Sequence, residues 1–149
     1  MLLLDGQRLS LDEVAGVAQS RVKVRLSDDA RKRMDASRAV VEHLVANRAV
    51  YGVNTGFGKL SDVQIEPRDL RQLQLNLVRS HACGVGEPLS PEETRAMLLL
   101  RANVLAKGLS GARVVVVETL LAMLEKHVLP VVPSKGSVGA SGDLAPLAH

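Results

Sequence analysis

At 149 residues, with 46% hydrophobic and 23% charged side chains, the chain has the size and composition of one globular domain able to bury most of its surface. Its formal charge of +3, from 19 basic against 16 acidic residues scattered along the chain, argues against a nucleic-acid partner. The single cysteine, Cys83, excludes an intramolecular disulfide and fits a reducing, cytoplasmic setting; no apolar run approaches a membrane span, and Met1-Leu2-Leu3-Leu4-Asp5 turns acidic too soon for a signal peptide.

Residues 2–9 read as a short strand with a turn around Asp5-Gly6. Ser10 and Glu13 have capping-box spacing, which predicts a short helix over 11–19. Val22-Lys23-Val24-Arg25-Leu26 alternates and predicts extended chain. Ser27-Asp28-Asp29 then opens a long helix to about Arg48. Residues 49–66 break the helical pattern, because Tyr51-Gly52-Val53-Asn54-Thr55-Gly56-Phe57-Gly58 is rich in glycine and reads as a loop. Tyr51 and Phe57 are the only aromatic residues, so the core must be aliphatic, and their placement in one loop hints at a site.

Pro67 suits the first turn of a helix running to about His81, with Leu70, Leu73, Leu77 and Val78 inward. Residues 83–88 read as a second loop. Ser90-Pro91-Glu92-Glu93 combines an N-cap, a proline in the first turn and a capping-box glutamate. The helix it starts should end near Lys107, with Gly108 as a left-handed cap. Ser110 is expected to cap another helix through about His127. Pro130 and Pro133 then enforce an extended approach to a second Gly-rich segment. Asp143 is expected to cap a final helix, with Pro146 tolerated in its first turn.

Familiar glycine and serine motifs do not fit. Gly58-Lys59 lacks the earlier glycine and the following Ser/Thr of a phosphate-binding loop, since Val53 and Leu60 stand there. Gly84-Val85-Gly86 lacks a third glycine at Leu89. Ser141 has Gly139 two residues before it but Asp143 two residues after, so it is not a nucleophile elbow. The four histidines, at 43, 81, 127 and 149, lack the spacing of a zinc site.

The most informative segment is 134–149, Ser-Lys-Gly-Ser-Val-Gly-Ala-Ser-Gly-Asp-Leu-Ala-Pro-Leu-Ala-His. Ala140-Ser141-Gly142 follows Gly136 and Gly139, and this run of small residues lets backbone approach backbone. The amide nitrogen of Gly142 can attack the carbonyl carbon of Ala140 and close a five-membered ring. Loss of one water there, and of a second from Ser141, leaves a 4-methylideneimidazol-5-one. That product is an electrophile, a function that natural side chains hardly supply. Taken alone, the tripeptide is more often a plain small-residue turn.

Together with Tyr51-Gly52-Val53-Asn54-Thr55-Gly56-Phe57-Gly58 and Ser80-His81-Ala82-Cys83-Gly84-Val85-Gly86, in that order, this segment resembles the aromatic amino acid ammonia-lyases, most of all their histidine-using members. The resemblance covers essentially the whole chain. It implies a mainly α fold, the N-terminal helical part of the ammonia-lyase fold (fumarase/aspartase-like superfamily), with one or two short strands near the N-terminus. Because the chain stops inside the first turn of its last helix, residues 1–149 are expected to be the N-terminal portion of a longer chain. Alone they should lack a full pocket and be inactive.

The activity implied is non-oxidative deamination of L-histidine to trans-urocanate and ammonia. Tyrosine or phenylalanine ammonia-lyase, an aminomutase of the same family and a non-catalytic fragment stand as alternatives. Ala140, Ser141 and Gly142 match the tripeptide that becomes the methylideneimidazolone, with no external cofactor and no metal. Tyr51 matches the tyrosine that removes the substrate β-proton. His81 matches the position that separates histidine-using from phenylalanine-using members. Asn54, Thr55 and Gly58 match the loop that closes over the site, and Asp143 an acidic residue that assists ring formation. A cytoplasmic homotetramer acting on a small amino acid is implied, with neither nucleic acid nor membrane as partner.

Without the resemblance, plainer readings hold. Tyrosines ionise near pH 10 and make poor bases at neutral pH, so Tyr51 reads first as a surface anchor. His81 at a helix C-terminus reads as a partner of the helix dipole, and Cys83 as a small buried hydrophobe.

Overall fold

The computed structural model describes residues 1–45, 48–140 and 142–149. In chain order its elements are β1 (Leu2–Leu4), α1 (Leu11–Ala18), β2 (Val24–Leu26), α2 (Asp28–Val45), α3 (Leu70–His81), β3 (Val85–Pro88), α4 (Pro91–Ala106), α5 (Val114–Glu125), β4 (Pro133–Lys135), β5 (Val138–Gly139), β6 (Gly142–Asp143) and α6 (Ala145–Ala148). Short 3-10 turns occupy Gly58–Leu60 and Pro67–Asp69. The chain is mainly helical, as expected, and divides into two compact units: residues 1–41 with 89–130, and residues 42–88 with 131–149. No helix among the described residues is long and apolar enough to cross a membrane.

The first unit holds the aliphatic core. Leu4, Val17, Ala30, Met34, Leu99, Ala102, Val117 and Leu124 are buried together, from β1, α1, α2, α4 and α5. Each such leucine, valine or methionine contributes about 1.5–3 kcal/mol by leaving water. Both capping boxes are formed: Ser10 Oγ accepts from the Glu13 N–H and Ser90 Oγ from the Glu93 N–H, each at 3.2 Å. In return each glutamate accepts from the serine N–H at 2.8 Å. Those donated bonds, the backbone one foremost, hold both carboxyls below the usual glutamate range. Gly108 takes the left-handed conformation after α4, with φ +74°.

Three expectations need correction. β1 does not fold back around Asp5-Gly6 but pairs in parallel with β2, Leu2 facing Val24 and Leu4 facing Leu26. The alternating segment 22–26 was the missing partner, and α1 supplies the crossover that parallel strands need. Ser110 caps nothing. The Gly111 N–H donates to Ser37 Oγ on α2 at 3.0 Å, and α5 starts only at Val114 after an uncapped Arg113. In the second unit, the loop expected at 83–88 contains a strand, because β3 pairs antiparallel with β4 through Val85 and Lys135, Pro88 and Pro133.

The apolar stripe of α3 is also less inward than its spacing suggests. Leu70, Leu73 and Leu77 are half-buried and Val78 is exposed. Within this unit α3 packs against α6, a single turn that is too short to cover the stripe.

Candidate active site

The described residues that the sequence singles out for the site all lie in the second unit. Tyr51 sits in a turn and is 62% exposed. Its ring meets Phe57 edge to face, centroids 5.9 Å apart at 70°, so the two aromatics of the chain stand on each other. Such pairs contribute about 0.5–1.5 kcal/mol and restrict the ring.

Two residues of the same loop turn inward and tie it down. Asn54 is 3% exposed, accepts the Val50 N–H through Oδ1 at 2.6 Å and donates through Nδ2 to the Arg48 carbonyl at 3.1 Å. Thr55 is 1% exposed, donates to the Gly56 carbonyl at 2.9 Å and bridges Gln64 across the loop. Gly58 opens the following 3-10 turn at φ +57°, where a β-carbon is disfavoured.

His81 ends α3. Its Nδ1 lies 2.8 Å from the Leu77 carbonyl oxygen and 3.0 Å from Ser80 Oγ. A carbonyl only accepts, so Nδ1 carries the hydrogen and Nε2 is left as the acceptor of the neutral ring. The helix-end reading of His81 and a binding role therefore use opposite edges of one imidazole.

Ala140 and Gly142 lie at a tight antiparallel pairing. β5 and β6 set Val138 opposite Asp143 and Gly139 opposite Gly142. Gly142 has φ +85°, and a β-carbon built on Gly139 or Gly142 meets nothing within 4 Å. Ser141 lies outside the described residues. Asp143 stands one place earlier than a helix cap: Leu144 is the N-cap of α6, and Asp143 Oδ1 accepts the Ala145 N–H at 3.1 Å.

Two cavities gather these parts. One, of about 290 Å³, is lined by Ser80, His81, Cys83, Ala140 and Gly142, among others. The other, of about 470 Å³ and mostly apolar, is lined by Tyr51, Phe57, Gly58, Leu77 and His81, among others. Both volumes suit a small ligand. His81 and Leu144 belong to both cavities. Cys83 is exposed and lines the smaller cavity, and is not a buried hydrophobe. Asn54 and Thr55 line neither cavity. Among the described residues no group of three or more His, Cys, Asp or Glu gathers as metal ligands.

The model of the aromatic amino acid lyase family matches residues 9–149. The chain belongs to that family. It is 60% identical to the histidine ammonia-lyase of Koribacter versatilis and 56% identical to that of Myxococcus xanthus, each over 149 residues and 99% of this chain. It spans about 29% of the length of these curated relatives. Among solved structures it resembles histidine ammonia-lyase from Trypanosoma cruzi, at 43% identity and TM-score 0.88. It also resembles tyrosine aminomutase from Streptomyces globisporus, at 37% and 0.91. Each match covers 99% of this chain and 28% of the other.

Some lining residues of this aromatic amino acid lyase chain carry weaker marks in the sequence, as members of the quoted segments with no role of their own. Phe57 was signalled by the rarity of aromatics. Ser80 and Cys83 flank a recognised histidine, and Leu144 follows a recognised aspartate, but nothing in their own type marks them.

Proposed function

We propose that this chain carries the electrophile-forming segment and part of the substrate pocket of a histidine ammonia-lyase, which takes L-histidine to trans-urocanate and ammonia. One observation supports the reading above the others: His81 shares one cavity with Ala140 and Gly142 and another with Tyr51. The open space around Gly139 and Gly142, and the left-handed φ of Gly142, suit a segment that closes on itself. Once formed from Ala140, Ser141 and Gly142, the methylideneimidazolone supplies the electrophile that side chains lack.

The remaining residues have roles that follow from their chemistry. Tyr51 takes the substrate β-proton through its phenol oxygen, with Phe57 steadying the ring. His81 donates through Nδ1 to Leu77 and so offers Nε2 to an N–H of the substrate imidazole. Asn54 and Thr55 hold the tyrosine loop from within, and Gly58 supplies its left-handed turn. Asp143 sits beside Gly142 and assists ring formation.

On this reading residues 1–149 are the N-terminal portion of a longer enzyme, a homotetramer of the cytosol, and are inactive on their own. The single thiol fits a reducing compartment. Intact mass and product analysis of the full-length enzyme test the proposal. The expected result is a chain two waters lighter than its sequence that forms urocanate from L-histidine. The Ser141→Ala variant has no hydroxyl to lose, so it can form no methylidene; it should shed one water at most and release no ammonia. A β-amino acid product would move the reading to an aminomutase, and full activity in Ser141→Ala would end it.

A further inference from the structure

The Asp143 carboxylate is seated against a glycine seven residues earlier. A β-carbon built on Gly136 would fall 2.5 Å from the Asp143 carboxyl carbon, and the two carboxylate oxygens would be closer still. Gly136 has no left-handed φ, unlike Gly142 and Gly86, so its backbone alone does not demand glycine. What demands it is the carboxylate. The atoms that would have to yield are the end of a short side chain, which can rotate away without moving the backbone. The same rotation would break the bond from the Ala145 N–H to Asp143 Oδ1.

We infer that Gly136 is a positioning residue for ring formation, acting through the Asp143 carboxylate. The inference rests on the proposed ring chemistry. In that chemistry the Gly142 nitrogen bonds to the Ala140 carbonyl carbon. The carbonyl oxygen leaves as water with the amide protons of Gly142 and Ser141. The second water takes the Ser141 hydroxyl and its α-proton. Every one of these protons has to be moved, and a carboxylate adjacent to Gly142 is a suitable carrier. A carrier displaced by a fraction of its own size loses its hydrogen-bonding geometry. Gly136 leaves the space in which that carboxylate sits.

The test uses the full-length enzyme and reads mass, independently of turnover. Wild type, Gly136→Ala, Asp143→Ala and the double variant are followed by pulse labelling and mass spectrometry of the tripeptide-bearing peptide. Circular dichroism monitors the fold. Gly136→Ala and Asp143→Ala should each lose their two waters at least tenfold more slowly than wild type. The double variant should be no slower than Asp143→Ala, because the clashing atoms are then gone. If Gly136→Ala proves insoluble, the double variant should restore the fold. Wild-type maturation in Gly136→Ala, additive slowing in the double variant, or failure of the double variant to fold would each overturn the inference. Normal maturation of Asp143→Ala would do so too. A wild-type enzyme that keeps both waters would instead remove the ring chemistry itself.

Discussion

The Nδ1 of His81 lies 2.8 Å from the carbonyl oxygen of Leu77, one helical turn earlier in α3. The last turn of the helix thereby selects the tautomer of the ring that lines both cavities.

His81→Leu should therefore remove an acceptor from the substrate pocket while leaving α3 in place. A polar imidazole left unpaired in an apolar site costs about 1–3 kcal/mol, roughly 5- to 150-fold. The ratio of kcat/KM for histidine to that for phenylalanine is expected to fall by that factor in the full-length variant. An unchanged ratio would take His81 out of substrate selection.

Tyr51→Phe keeps the edge-to-face contact with Phe57 and deletes only the hydroxyl. Turnover should drop by about 10²–10⁴-fold, the usual contribution of a general base, with the two-water mass loss intact. More than about a tenth of wild-type turnover would make Tyr51 an anchor and nothing more.

The capping boxes predict an acid-sensitive step in stability. Glu13 and Glu93 are held below their ordinary value of 4.5 by bonds from Ser10 and Ser90. A carboxylate depressed in the folded state contributes fully above its unfolded value, and the contribution fades as pH falls through the folded value. Urea midpoints of the wild type should decline below about pH 4.5, and those of Glu13→Gln/Glu93→Gln less steeply, since glutamine still accepts the cap bond without titrating. Parallel declines would show that the boxes play no part. At neutral pH Ser90→Ala should cost about 1 kcal/mol, from the lost cap.

Arg95 is only 5% exposed and donates to two carbonyls near helix ends, Val17 on α1 at 3.0 Å and Leu124 on α5 at 2.8 Å. Arg95→Met fills similar volume and donates nothing. Both carbonyls lose a charged partner, and the expected loss is roughly 2–4 kcal/mol in denaturant unfolding. A change below about 1 kcal/mol would mean that water replaces the guanidinium at both helix ends.

Local signals in the sequence were reliable where one turn of chain decides the outcome. Ser10-x-x-Glu13 and Ser90-x-x-Glu93 start helices, and Gly108 ends one, because each acts within four residues of itself. Letters failed where a distant partner decides. β3 exists because Val85 finds Lys135, and Ser110 is idle because Gly111 finds Ser37. The site was legible in the same partial way. Tyr51, His81 and Ala140-Ser141-Gly142 can be picked out by type and surroundings. That His81 shares one cavity with Tyr51 and another with Ala140 and Gly142 depends on contacts between segments far apart in sequence, and that Gly136 shelters Asp143 depends on how the chain between them turns back.

The first compact unit is written in two instalments, residues 1–41 and 89–130. Its opening stretch is finished by its closing one: Leu4 is buried among side chains of α4 and α5, and a β-carbon on Gly6 would fall 2.6 Å from the Ala106 carbonyl carbon. On the ribosome, at about 5–20 residues per second, residues 42–88 emerge in between and delay that closure by a few seconds. During this interval the parallel pairing of β1 with β2 has no α4 or α5 to shelter it. The nascent chain passes through a window in which Leu4, Val17 and Met34 face solvent or a chaperone, and the window shuts only when the second instalment arrives.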